Sequence, residues 1–184
     1  GENAAPVRAP WRLDTCVTRF IATLDGLAER AQRTTWIEKT PQHLLYLREI
    51  EQYLPNARFI HVIRPGMDVI ASIMDAYLRY DNPAFAGGLL MWVQRWNRAV
   101  AIHRSRIGVR HHHFVFLEDL VRQPQEEWRR LCGFLELPPD ADIDPACHQH
   151  IADPAAEPWK RGALSGLPQA ADSKTEQLFG PQLR

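Results

Sequence analysis

The chain has 184 residues, and its 22 basic and 22 acidic side chains give a formal net charge of zero. This balance excludes a general affinity for nucleic acid or for an anionic membrane, so any anion site must be a local cluster. The 45% of hydrophobic and 24% of charged residues are typical of a soluble globular protein, and we expect a single domain over residues 1–184. Three cysteines without a Cys-x-x-Cys pair predict reduced thiols in a cytoplasmic protein.

The first half of the chain alternates predicted helices and strands. Apolar residues at helical spacing predict a helix over about 11–33, and Thr34–Glu38 is a candidate strand. Thr40 and Pro41 then predict a helix start with a hydroxyl cap and a proline in the first turn. Residues 58–63 are apolar and β-branched and form the clearest strand. Asp68 is placed to cap the next helix, which is predicted to reach about Tyr80.

The second half continues with a long helix over about 85–106 and a strand over His113–Leu117. Glu118 and Asp119 end that strand, and Pro124 opens another amphipathic helix. Residues 138–170 have no clear periodicity, and residues 171–184 read as the start of a final helix.

A strand, a cationic turn and a helix thus occur twice in series, the first turn carrying Lys39 and the second carrying Arg64. This order predicts an α/β fold with a parallel sheet and crossover helices. Ligands of such sheets bind outside the carboxyl ends of the strands, so we expect Lys39 and Arg64 to project from one edge. The sequence therefore predicts that this edge binds a multiply anionic nucleotide.

Each cation has a functional and a structural interpretation. Lys39, together with the first backbone N–H groups of the following helix, could bind an anion, or it could be a solvated loop lysine. Arg64 and Ser72 could close on one phosphate, the arginine with its planar fork. In the alternative, Arg64 pairs with Asp68, and Ser72 is an ordinary helical residue.

Three further groups of residues are candidate sites. The basic turn Lys160-Arg161-Gly162 could approach an anion or be simply solvated. Glu118-Asp119 could orient the cations of the sheet edge or cap local backbone N–H groups. His111–His113 invites a metal site, but adjacent residues entering a strand point to alternate faces. We therefore expect no metal.

Taken together, the segments Trp36–Pro41, Phe59–Ser72 and Val115–Pro138 resemble the sulfotransferases that use 3′-phosphoadenosine 5′-phosphosulfate (PAPS), in particular their bacterial branch. The resemblance spans about residues 36–137 and implies a three-layer fold of the P-loop-NTPase type, with a central parallel sheet flanked by helices. The family opens with a strand, a phosphosulfate-binding loop and a helix. We find no such unit here and expect that it is missing from the N-terminal side of this chain.

The resemblance also implies roles for individual residues. Lys39 stands where the family has a lysine near the transferring sulfuryl group or the acceptor. Arg64 and Ser72 occupy the positions that bind the 3′-phosphate of the nucleotide, and Lys160, Arg161 and Gly162 resemble the loop that reaches the same phosphate. This chain departs from the family at Pro65-Gly66-Met67, where one cation is lost, and at Leu117, which replaces a tyrosine near the adenine.

The implied reaction is sulfuryl transfer from PAPS to a hydroxyl or amine of a small-molecule or carbohydrate acceptor, with adenosine 3′,5′-bisphosphate as product. An in-line transfer needs cations near the leaving oxygen and a base for the acceptor, but no metal. We assign charge stabilisation to Lys39, consider Glu38 as a base and expect His43 to contact the acceptor. The sequence leaves the oligomeric state open.

Two other functions remain open from the sequence. A nucleotide-dependent kinase or NTPase of related fold would need a Gly-x-x-x-x-Gly-Lys-Ser/Thr loop, which the chain does not contain. A non-catalytic nucleotide-binding module would keep the sheet without the phosphosulfate loop. Dependence of turnover on magnesium would separate the kinase from the sulfotransferase.

Overall fold

A computed structural model describes residues 12–80, 83–138 and 174–180 of the chain. The chain divides into two compact units, Gly1–Ala57 and Arg58–Arg184.

The first unit contains two α-helices joined by an irregular segment and a 3₁₀ helix. Helix α1 spans Leu13–Arg30, a 3₁₀ helix spans Pro41–Tyr46, and α2 spans Leu47–Tyr53. Between α1 and the 3₁₀ helix, residues 35–40 have no regular secondary structure. Pro41 begins the 3₁₀ helix as predicted, because its fixed φ suits a first helical position.

Two local predictions in this unit are wrong. Thr34–Glu38 does not form a strand, and Ile37 is 85% exposed. The described part of the unit contains no strand with which this segment could pair. Thr40 makes no capping hydrogen bond to its helix. Its hydroxyl donates to Glu38 Oε1 instead, at 2.5 Å.

The second unit contains a parallel two-stranded sheet among its described residues. The strands are β1 at Phe59–Ile63 and β2 at His112–Phe116, paired in register from Phe59 opposite His112 to Ile63 opposite Phe116. Between the strands run α3 at Gly66–Tyr80, a 3₁₀ turn at Pro83–Phe85 and α4 at Gly88–Arg104. After β2 come α5 at Leu117–Arg122, α6 at Pro124–Leu135 and α7 at Lys174–Phe179.

Helices contact the sheet on both faces. His61 in β1 contacts His103 of α4, with 3.0 Å between their Nδ1 atoms. His113 points to the other face, because neighbouring residues of a strand alternate, and its ring stacks on Phe134 of α6. The sheet therefore lies between two helical layers, which confirms the predicted α/β architecture with a parallel sheet and crossover helices.

Two acidic residues of the predicted sheet edge lie in a helix instead. Glu118 and Asp119 lie in the first turn of α5 rather than at the end of a strand. Asp119 is 3.6 Å from Arg122 in the same short helix. Acidic residues at a helix N-terminus complement its positive dipole end, which accounts for these two carboxylates structurally.

Three histidines form a hydrogen-bonded chain that joins both strands to α4. His61 Nε2 is 2.8 Å from His112 Nδ1, and the other ring nitrogen of His61 contacts His103. A neutral imidazole has one N–H and one lone pair, so His61 donates one of these bonds and accepts the other. Burial, then the neighbouring His103, His112 and Arg106, lower the pKa of His61 to about 4. Burial also lowers the pKa of His103.

Candidate functional site

In the first unit, Glu38 holds His43 in a fixed orientation. The irregular segment ends at Thr40, and the 3₁₀ helix that follows places His43 next to Glu38, with His43 N donating to Thr40 O at 3.0 Å. His43 Nδ1 then lies 2.7 Å from Glu38 Oε2. The other carboxylate oxygen accepts from Thr40. A carboxylate on one ring nitrogen fixes the ring and directs its other nitrogen outward, the arrangement used to orient catalytic histidines.

Lys39 lies between these contacts without joining them. The lysine is exposed and makes no hydrogen bond or ion pair with the residues that the structure describes. Trp36 ties the same segment to α1, because its Nε1 donates to Asp25 Oδ1 at 2.8 Å. Lys39 thus extends from an anchored segment with its three ammonium donors available for an anion.

In the second unit, Arg64 stands at the junction of β1 and α3. The helix begins at Gly66, and Val69 N donates to Pro65 O at 3.1 Å. Arg64 Nε is 4.0 Å from Asp68 Oδ2, which is an attraction between charges but too long for a hydrogen bond. The guanidinium therefore lies beside the positive end of a 15-residue helix with its N–H donors not taken by Asp68.

Gly66 allows a close approach of α4 at this junction. A Cβ at this position would lie 2.4 Å from Nε1 of Trp96 and 2.8 Å from two carbons of the same ring. The indole thus packs against the first turn of α3, directly after Arg64 and Pro65.

Ser72 lies further along α3, on the face that carries Asp68 and Asp75. These three residues are spaced by four and by three, so they line one side of the helix. Ser72 makes no hydrogen bond with Arg64, and it is six residues into the helix, about 9 Å along the axis. It lines a cleft of about 270 Å³ that is also bounded by Asp75, Arg79, Tyr80, Phe85 and Lys174.

Helix α7 closes over the same face of α3. Lys174 Nζ donates to Asp75 Oδ2 at 2.6 Å, and Thr175 Oγ1 donates to Asp68 Oδ1 at 2.8 Å. Asp75 is 9% exposed, and its second oxygen accepts from Arg79 Nε at 2.6 Å. The hydrogen bond from Lys174, and after it the one from Arg79, lowers the pKa of Asp75, so this buried carboxylate is charged.

The predicted site residues thus form two groups. Glu38, Lys39 and His43 belong to the first unit, and Arg64 and Ser72 belong to the second. The convergence of Lys39 and Arg64 on one sheet edge stays a prediction. Lys160, Arg161 and Gly162 lie outside the described residues.

Sequence reasoning missed the contacts of α7. Lys174 and Thr175 meet partners that lie 99 and 107 residues earlier in the chain. Asp68, Ser72 and Asp75 lie on one face of α3, but nothing in a single sequence indicates which later segment covers such a face.

Neither a metal site nor a membrane-spanning helix is found among the described residues. No group of three or more His, Cys, Asp or Glu side chains within 12–80, 83–138 and 174–180 is placed to hold a metal ion. Within the same ranges, no helix is both long and apolar enough to cross a membrane.

Comparison with known proteins finds similarity to sulfotransferases, the family that the sequence motifs resemble. The putative protein-tyrosine sulfotransferase of Caenorhabditis elegans is 28% identical over 124 residues, covering 66% of this chain and 46% of that protein. The Drosophila melanogaster protein-tyrosine sulfotransferase is 26% identical over 106 residues, covering 54% of this chain and 20% of that protein. The chain thus spans less than half the length of these curated relatives. They are animal proteins, and the bacterial branch stays a prediction.

Among solved structures, the sulfotransferase domain from the curacin biosynthetic pathway aligns with a TM-score of 0.48 and 22% identity, covering 89% of this chain and 71% of that one. The sequence profile of the Sulfotransferase family matches residues 5–142, well over half of the chain. That match includes the segment of Glu38 and His43 and the β1–α3 junction with Arg64. This chain therefore belongs to the sulfotransferase family.

Proposed function

We propose that this protein transfers a sulfuryl group from PAPS to a hydroxyl or amine acceptor, and that the β1–α3 junction binds the 3′-phosphate of the donor. One observation carries the binding step. Arg64 lies at the positive end of α3 behind a parallel strand, and Asp68 attracts it from 4.0 Å without accepting a hydrogen bond. The N–H donors that a phosphate would need are therefore not consumed by Asp68.

The residues of this unit fit such a nucleotide. The guanidinium and the N-terminal N–H groups of α3 supply positive charge, and the hydroxyl of Ser72 adds a neutral donor further along the helix. The buried carboxylate of Asp75 is neutralised by Lys174 and Arg79, so it does not oppose an anion on this face. The basic turn with Lys160, Arg161 and Gly162 is proposed to add contacts to the same phosphate.

The residues of the first unit are proposed to act on the transferring group and the acceptor. PAPS supplies an activated sulfuryl group. His43 Nε2 takes the proton of the acceptor hydroxyl while Glu38 holds the ring through Nδ1. The acceptor oxygen forms a bond to sulfur, and the bond between sulfur and the 5′-phosphate oxygen breaks. Lys39 stabilises the charge that develops on that leaving oxygen.

The role that we propose for Glu38 differs from the one suggested by the sequence. The sequence suggested Glu38 as a base and His43 as a contact to the acceptor. In the structure both oxygens of Glu38 accept hydrogen bonds, from Thr40 and from His43. A carboxylate held in this way is better placed to orient His43 than to take a proton itself, so we propose His43 as the base.

The acceptor is proposed as a class only. The names of the curated relatives add the tyrosine hydroxyl of a protein to the small-molecule and carbohydrate acceptors that we expected. Tyr80 and Phe85, which line the cleft on α3, would suit an apolar or carbohydrate group.

A turnover assay tests this function. The protein is incubated with sulfur-labelled PAPS and a panel of phenols, tyrosine peptides, sugars and amines, with and without EDTA. We expect label to pass to at least one acceptor class and EDTA to leave the rate unchanged. In a parallel incubation with ATP in place of PAPS, phosphate transfer that EDTA abolishes would instead identify a kinase. Binding of adenosine 3′,5′-bisphosphate without transfer to any acceptor would identify a non-catalytic module.

A further inference from the structure

Helix α7 touches α3 on either side of the serine proposed to contact the nucleotide. Thr175 bonds to Asp68, one turn before Ser72, and Lys174 bonds to Asp75, one turn after it. Thr175 is 8% exposed and Asp75 is 9% exposed, so water has little access to replace these bonds. The hydrogen bonds are charge-assisted and fix α7 on this face.

Asp68 divides its two oxygens between α7 and Arg64. Oδ1 accepts the hydroxyl of Thr175 at 2.8 Å, and Oδ2 lies 4.0 Å from Arg64 Nε. Within α3, Arg79 and Asp75 are also four residues apart, and their Nε and Oδ1 atoms are only 2.6 Å from each other. The pair of Arg64 and Asp68 is open in comparison, and this opening leaves the N–H donors of Arg64 for another anion.

We propose that Thr175 is a positioning residue for the 3′-phosphate site. Its hydroxyl holds Asp68 in an orientation that attracts Arg64 without accepting its hydrogen bonds. Lys174 keeps α7 seated through Asp75. If the hydroxyl is removed, Asp68 can turn, close on Arg64 and compete with the phosphate for the guanidinium. This inference rests on the proposed function, because it assigns a role within the same phosphate site.

The test compares two nucleotides in calorimetric titrations. Thr175→Val removes the hydroxyl and keeps the shape of the side chain. It should raise the Kd for adenosine 3′,5′-bisphosphate about five-fold and leave the Kd for adenosine 5′-monophosphate unchanged. Thr175→Ser keeps the hydroxyl and should behave as the wild type. Thr175→Ala removes bulk as well and should give the same shift as the valine variant.

Two controls separate positioning from general stability. Thr23→Val removes a hydroxyl that bonds only within α1, to Arg19 O, and should change neither Kd. In an Asp68→Asn background, adding Thr175→Val should no longer change the ratio of the two Kd values, because asparagine has no charge to neutralise Arg64. A purely structural role for Thr175 would lower the melting temperature and weaken both nucleotides equally.

The outcomes are distinct. If the wild type prefers the bisphosphate and Thr175→Val keeps that preference in full, the role of Thr175 is overturned and the phosphate site stands. If the wild type itself binds both nucleotides equally, the 3′-phosphate site and the role of Thr175 are both overturned.

Discussion

The buried histidine chain predicts that stability falls steeply below neutral pH. The pKa of His61 is about 4 in the folded protein and 6.5 in the unfolded chain, so between these values the unfolded chain binds a proton that the folded protein does not. The stabilisation is therefore complete above pH 6.5 and is lost as the pH falls towards 4. At pH 5 the expected loss from this one group is at most about 2 kcal/mol, since each pKa unit is worth about 1.4 kcal/mol. His103 adds to it in the same direction.

The assay is urea unfolding followed by the fluorescence of the six tryptophans, at pH 7 and at pH 5, on the wild type and on His61→Phe. Phenylalanine keeps the stacking with Phe114 but has no ionisable group. The variant should be less stable at both pH values, because His103 and His112 lose a partner, and its stability should depend less on pH. Equal losses between pH 7 and pH 5 in both proteins would refute the assignment of this pH dependence to His61.

Four substitutions test the junction and the catalytic roles. Gly66→Ala places a Cβ against the indole of Trp96, so it should destabilise the protein by about 1–3 kcal/mol in urea unfolding, and an unchanged midpoint would contradict the packing. Lys39→Met should lower kcat about 100-fold with little change in the Kd of the bisphosphate, and full turnover would remove its role. His43→Asn should lower kcat at least 100-fold and Glu38→Gln less, and a larger loss at Glu38 would make the carboxylate the base.

The surface histidine His111 offers a matched control for the His43 variant. It is exposed and lies outside both candidate groups. His111→Asn should leave kcat unchanged. A loss of kcat in this control comparable to that of His43→Asn would show that the assay reports stability rather than base catalysis.

Much of the second unit could be predicted because its signals are local. The apolar, β-branched strand predicted over residues 58–63 corresponds to β1 at Phe59–Ile63, and Pro65 directly precedes α3, which begins at Gly66. The predicted strand over His113–Leu117 is shifted by one residue from β2. These elements depend on periodicity and turn residues, which a single sequence carries.

The two predictions that failed in the first unit depend on which partners the segment and the side chain find, distant ones or local ones. Thr34–Glu38 has the residue types of a strand, but a strand forms only where another strand pairs with it. Thr40 can cap a helix, yet its hydroxyl bonds to Glu38 nearby. Local side-chain bonds of this kind compete with capping.

In the candidate site, too, some features follow from the local sequence and others depend on contacts that the sequence does not reveal. Arg64 was predicted either to bind a phosphate or to pair with Asp68. At 4.0 Å the two side chains attract each other, but Asp68 accepts no hydrogen bond from Arg64. The contact of Asp68 with Thr175 joins residues 107 positions apart, which no periodicity encodes. The pairing of His43 with Glu38 is close in sequence, but it depends on the 3₁₀ helix that begins at Pro41.

The most direct test of the central claim is the preference for a 3′-phosphate, measured by titrating the wild type, Arg64→Ala and Arg104→Ala with adenosine 3′,5′-bisphosphate and with adenosine 5′-monophosphate. Arg104 is an exposed arginine at the end of α4 and serves as the charge-matched control. We expect Arg64→Ala to raise the Kd of the bisphosphate about 10- to 100-fold, because it removes charge-assisted hydrogen bonds, with little effect on the monophosphate. Arg104→Ala should change neither. Equal losses for both nucleotides in Arg64→Ala would contradict a 3′-phosphate site at the β1–α3 junction.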